Sequence, residues 1–131
     1  MSLINVSIGE LIDKITILEI KYDRIVDTVK KNNVYVELNI LNDAYKALTQ
    51  DLTPFKNSLK TVNELLWDIE NCTREKERLK VFDLEFIQLA RSVYTYNDER
   101  AKIKRDINLK SGSYIIEEKE HIFKKAFFWG I

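Results

Sequence analysis

The chain has 131 residues, a length at which one hydrophobic core forms but not two. Its 21 Lys and Arg balance its 21 Asp and Glu, so no concentrated basic surface draws it to nucleic acid or to an anionic membrane. With 45% hydrophobic residues it folds, while three Gly and one Pro are too few to punctuate a many-stranded protein. An all-α fold is expected: a bundle of four long antiparallel amphipathic helices, paired as coiled-coil-like hairpins. It should form a single helical domain over 1–131, with a core over 6–112 and a C-terminal tail over 113–131. A cytoplasmic setting is expected from three features. Cys72 is alone, no apolar run reaches the ~18–20 residues of a membrane span, and the first residues lack signal-peptide character.

Ser7-Ile8-Gly9-Glu10 reads as a capping box, the Ser7 hydroxyl accepting the Glu10 amide while the Glu10 carboxylate reaches back. Leu11, Ile15, Leu18, Tyr22, Ile25 and Val29 then recur at alternating steps of four and three. This heptad seam predicts a first helix to about Lys30, followed by a turn at Lys30-Lys31-Asn32-Asn33. Val34, Leu38, Leu41, Tyr45 and Leu48 form the seam of a second helix. Thr53-Pro54 opens a third, with Phe55, Leu59, Val62, Leu66 and Ile69 on its seam. Asp83 is the expected N-cap of a fourth, which carries Phe86, Leu89, Ala90, Val93, Ile103 and Ile107 and ends at Gly112. In the tail, Ile122, Phe123, Ala126 and Phe127 share one side of a helix, so a short fifth helix fits there.

Much chemistry is excluded. One His and one Cys cannot supply a zinc site of the usual ligands, and no metal is expected. No nucleophile elbow, Gly-rich phosphate loop or dinucleotide fingerprint is present, and no cofactor is expected. Several polar positions are more than a plain bundle needs. Asn97 falls on the Ala90–Val93–Ala101 line, where a lone Asn fixes helix register or faces a polar pocket. Arg91 and Arg100 lie on flanks of the same helix, where ion-paired solvated faces are the ordinary use. Asn63, Trp67 and Asp68 centre the third helix, and Asp13, Lys14, Glu19 and Lys21 flank the first seam, where a solvated face is again the ordinary use.

Four segments carry a resemblance: Ser7–Lys21 (SIGELIDKITILEIK), Val62–Glu70 (VNELLWDIE), Phe86–Tyr94 (FIQLARSVY) and Asn97–Arg105 (NDERAKIKR). Together with Gly112-Ser113 and Glu117-Glu118-Lys119, they are similar to a family of small uncharacterised bacterial and phage all-helical proteins. The resemblance runs from Val6 to Lys119 and brings a domain of unknown function, with no activity attached. It implies a link with surface-polysaccharide assembly, and it leaves the segment after Lys119 as an addition particular to this chain.

The favoured function is a protein-interaction or scaffolding module that oligomerises through its heptad seams. Its partner would be another protein or a second copy, with a dimer favoured. Phe123, Phe127, Phe128 and Trp129 are candidate interface residues of the tail, and neither nucleic acid nor a membrane surface is the expected partner. The alternative is a small-molecule binder or enzyme with a polar, anion-accepting pocket between helices, tied to surface-polysaccharide metabolism. There Asn63, Trp67, Asn97 and Arg100 would orient a small anionic ligand and Lys14 and Arg91 would hold its charge. Glu19 or Asp68 would act as acid or base.

Overall fold

In a computed structural model of the protein, residues 1–121 are described, and they fold into four α-helices without a strand. These are α1 (Ile8–Arg24), α2 (Thr28–Lys46), α3 (Thr53–Leu79) and α4 (Leu84–Ser111). Helices α3 and α4, of 27 and 28 residues, are each about 40 Å long at ~1.5 Å per residue. Helix α1 has only 17 residues.

The shortness of α1 departs from the heptad reading. Its seam would carry the helix to Lys30, but Ile25 is already extended, with ψ 132°. Asp27 then starts α2, its side chain accepting the Lys30 amide at 3.0 Å. Lys30-Lys31-Asn32-Asn33 is therefore the first part of α2 rather than a turn. The break escapes the hydrophobic pattern because Ile25 and Val29 keep the spacing across it. An N-cap aspartate followed by Thr is the signal that marks it.

Other ends follow the sequence more closely. Ser7 caps α1 by accepting the Glu10 amide at 3.0 Å, but the Glu10 carboxylate goes to Lys104 instead of reaching back. Asp83 caps α4 through the Phe86 amide at 2.9 Å. Gly112 terminates α4 in the left-handed conformation, φ 68°, which L side chains rarely adopt. Thr53 is the first residue of α3 rather than its cap, and its amide is taken by Asp51 at 3.1 Å.

Helix α1 packs against all three others, whereas among the described helices the backbone of α2 adjoins α1 alone, with the Tyr45 ring reaching Lys56 of α3 at 5.1 Å. That position explains why α1 buries Ile12, Ile15, Leu18 and Ile20 on more than one side. The central cluster joins Ile12 to Leu52, Leu59, Val62, Leu66, Ile103 and Ile107, with Tyr45, Leu48 and Phe55 closing over it. Each such side chain stabilises the fold by roughly 1.5–3 kcal/mol. Beyond the end of α1, where Arg24 meets Asp68, α3 and α4 continue with only each other as neighbours among the described helices. Phe82 and Phe86 stack edge-on at 5.2 Å near the tip, and Leu79, Val81, Phe82 and Leu84 are exposed there. Residues Tyr114–His121 are irregular and return along α4. The suggested fifth helix falls on 122–131, outside the described residues.

Candidate functional site

The site grows from one carboxylate. Asp13 projects from α1 into the junction with α3 and α4 and is only 1% exposed. A charge so deep in protein persists only when its lone pairs are filled. Arg100 of α4 fills two of them, Nε to Oδ1 at 2.9 Å and Nη2 to Oδ2 at 2.5 Å. Asn63 of α3 donates its amide to Asp13 Oδ1 at 3.0 Å and to the Thr16 hydroxyl at 2.9 Å. Thr16 in turn donates to the Asp13 carbonyl at 2.8 Å. Lys104 stands 3.9 Å from Asp13 and binds Glu10 at 2.6 Å. The hydrogen bonds to Asp13 hold the Arg100 guanidinium above its usual pKa, against the effect of burial.

This network is the floor of a pocket of about 220 Å³ between α1, α3 and α4. Ile17, Ile20 and Lys21 line it from α1, Leu66, Trp67 and Glu70 from α3, and Asn97 from α4, with Asn63 and Arg100 at the base. A second hollow shares Asn97 and Arg100 and continues past Tyr94, Ala101 and Lys104 to Lys119 and His121. The pocket thus offers an indole face, two amides, two cations and a carboxylate, with the spare edge of a fixed guanidinium among them. Asn97, Lys21, Glu70 and the Trp67 indole make no hydrogen bond to the described residues. Such a set can orient a small polar ligand.

Four of the sequence candidates therefore come together here: Asn63, Trp67, Asn97 and Arg100. The other four do not. Lys14 is on the surface, 3.8 Å from Glu10. Glu19 faces Lys56 at 3.5 Å and Lys60 at 3.8 Å on another side of α1. Asp68 binds Arg24 at 2.5 Å, and Arg24 lies over the Trp67 ring at 5.9 Å. Arg91 borders a separate shallow hollow with Gln88, Ser92 and Thr95. Phe123, Phe127, Phe128 and Trp129 lie outside the described residues. No three His, Cys, Asp or Glu side chains among the described residues stand close enough to hold a metal ion.

The sequence reading missed Asp13 as the centre, and it missed a second network. Asn108 accepts the Gly9 amide at 2.6 Å, Ser113 accepts the Ile8 amide at 3.2 Å, and Ser7 accepts that of Glu10. The first-turn amides of α1 are thus spent on protein partners, so this helix end is not an anion site. Gly9 is required by the closeness of α4, since a Cβ there would meet the Lys104 carbonyl oxygen at 2.5 Å. Glu117 locks the group, accepting from the Ser7 hydroxyl at 2.5 and 2.7 Å and from Asn108 at 3.0 Å. Partial burial pushes the Glu117 carboxyl up, but those hydrogen bonds outweigh it and hold the group below its ordinary pKa.

An all-helical protein with a carboxylate-centred polar pocket between three helices is what fold and site define. The chain belongs to the family of unknown function DUF6165, whose model matches residues 2–124. That match passes Lys119 and takes in Ile122 and Phe123, so the start of the tail is not an addition particular to this chain. No curated protein and no solved structure matches the chain.

Proposed function

We propose that the protein is an interaction module that pairs with a second copy of itself through the outer face of α2. One observation carries this. Helix α2 is apolar on two opposite sides, yet among the described helices its backbone adjoins α1 alone. Val34, Leu38, Leu41, Tyr45 and Leu48 face inward, whereas Val29, Val36 and Ile40 are 70%, 53% and 47% exposed on the other side. A lone exposed Val is ordinary, but three apolar residues aligned along about three turns of one helix make a stripe. A stripe along a single helix is self-complementary about a twofold axis across it, so two copies close into a dimer without further contacts. Sedimentation velocity should show a particle of twice the 15.5 kDa chain mass. The double variant Val36→Glu, Ile40→Glu should sediment as a monomer with unchanged helicity, because neither side chain supports the core. A monomeric wild-type protein at tens of micromolar, or a variant that still dimerises, ends the proposal.

The unengaged polar groups around Asn97 favour a second reading, a small polar ligand in the α1/α3/α4 pocket. A phosphate- or carboxylate-bearing sugar suits two cations, two amides and an indole, in keeping with the surface-polysaccharide link that the resemblance implies. Asn97 then acts on the ligand and not as a register device. Replacing it by Ala should change stability by less than about 0.5 kcal/mol, since it has no hydrogen bond to the described residues to lose. Native mass spectrometry of protein purified gently from its source should show a bound mass that this variant lacks. A large loss of stability instead would make Asn97 structural.

A further inference from the structure

A small acid in the α1/α3/α4 pocket accounts for the cations, the amides and the indole, but it leaves Glu70 without a purpose. Among the residues lining that pocket Glu70 is the one carboxylate. An acid alone would bring a second negative charge beside it, and like charges repel. The charges of the floor already cancel, Arg100 against Asp13 at 2.5 Å and Lys104 against Glu10 at 2.6 Å. Two lining groups are left uncommitted, Lys21 of α1 and Glu70 of α3. Neither forms an ion pair with the other or with any described residue. One positive and one negative group thus face the same space.

Helical spacing sorts the lining into two halves. Trp67 and Glu70 are three residues apart on α3 and hence neighbours on one face. A carboxylate beside an indole receives an ammonium, which gains from the ion pair and from the ring quadrupole. Asn97 and Arg100 are likewise three apart on α4. Arg100 binds Asp13 through Nε and Nη2 and keeps the other edge of its guanidinium for a carboxylate, with Lys21 and the Asn97 amide as further donors. The two halves belong to one site. Arg100 is held above its usual pKa first by its hydrogen bonds to Asp13, and the charge of Glu70 adds to that effect. At about 220 Å³ the pocket is smaller than the ~300–1,000 Å³ of sites for drug-sized ligands. Ile17, Ile20 and Leu66 give it an apolar wall for a compact carbon body.

We propose that this pocket takes a small zwitterion, a carboxylate and an ammonium on one compact carbon body. Glu70 and Trp67 hold the ammonium, and Asn97, Arg100 and Lys21 hold the carboxylate. The inference rests on the pocket reading and narrows its ligand to an acid that also carries an amine, either a free α-amino acid or an amino sugar bearing a carboxylate. It is independent of pairing through α2.

The test is a titration of the full wild-type chain, and of a full chain carrying Glu70→Gln, followed by NMR at the Trp67 indole N–H. L-leucine and muramic acid are the zwitterionic probes. N-acetyl-L-leucine and N-acetylmuramic acid are the same bodies without the ammonium. Glu70 is exposed, so the variant should fold as the wild type does. At least one zwitterion should bind the wild type about tenfold or more tightly than its acetylated form, the worth of one charge-assisted hydrogen bond. In Glu70→Gln the two forms should bind alike. Leucine as the tighter ligand assigns a free amino acid, and muramic acid assigns an amino sugar. A preference that persists in the variant would be one of size and not of charge, and would overturn the proposal. Acetylated forms that bind the wild type as tightly as the zwitterions would also overturn it, while leaving the pocket as a site for a plain acid. No response to any of the four probes would overturn it too, and the pocket reading falls with it only if native mass spectrometry shows no bound mass.

Discussion

Asp13 faces two different costs, and its surroundings decide between them. Its burial removes it from water, while Arg100 and Asn63 return charge-assisted hydrogen bonds to both carboxylate oxygens. Truncating it should cost more than the pair contributes, because the donors are left without an acceptor. Asp13→Ala is expected to lower stability by about 3 kcal/mol in urea unfolding, the low end for a broken buried pair because Arg100 can turn partly to solvent. Adding Arg100→Met to that variant should restore roughly half of the loss, since the stranded cation goes with it. A loss below about 0.5 kcal/mol would show that the network is not a structural floor. At this scale the sequence was only partly legible. Asn63, Trp67, Asn97 and Arg100 stood out as polar or bulky residues near seams. Asp13 passed as a solvated flank because α1 was read as having one buried face. A helix with neighbours on three sides has no solvated flank at that position, and nothing in its own sequence counts the neighbours.

Helices were legible where the ends carry their own chemistry. Ser7, Asp83 and Gly112 mark their boundaries by side-chain caps or by a left-handed residue, and each acts where its type predicts. The α1–α2 boundary was misread because the hydrophobic rhythm ran straight through it. Asp27 carries that boundary alone. Replacing it by Ala should cost about 1 kcal/mol, read as a lower urea midpoint with the slope unchanged. If stability does not move, the bend at Ile25 is held by packing and not by the cap. Helix α2 has a property that a single seam does not reveal, namely that it is apolar on two sides. Its second stripe is not legible from the pattern because the seam facing α1 is sufficient to explain a bundle.

For the whole molecule, the Glu117 network ties the first turn of α1, the end of α4 and the returning segment together. Its carboxyl has a lowered pKa in the fold, so its stabilising effect is complete above the ordinary glutamate value of 4.5. It is lost as the pH falls through the lowered folded value. Asp98 is held down similarly, chiefly by its hydrogen bond from Lys119. Acidification should therefore loosen Tyr114–His121 before the helical body unfolds. The protection of that segment, measured against the free-peptide exchange rate at the same pH, should fall below about pH 4.5, and Glu117→Gln should flatten the response over that range. An unchanged profile in this variant would place the sensitivity elsewhere. The balanced charge and sparse Gly and Pro foretold an all-helical body. They could not foretell this closure, because Asn108, Ser113 and Glu117 look like ordinary polar residues until folding brings them to Gly9.

The Ser7–Glu117 hydrogen bond spans 110 positions of sequence. Synthesis runs from α1 towards α4, so α1 is made well before the groups that satisfy its opening amides. Until Asn108, Ser113 and Glu117 have left the ribosome, α1 carries an unfinished end and a buried aspartate without its arginine. Its docking on α3 and α4 must therefore be late, after the two pairs that are local in sequence, α1 with α2 and α3 with α4. The fold is assembled as a loop that closes on the first turn of α1.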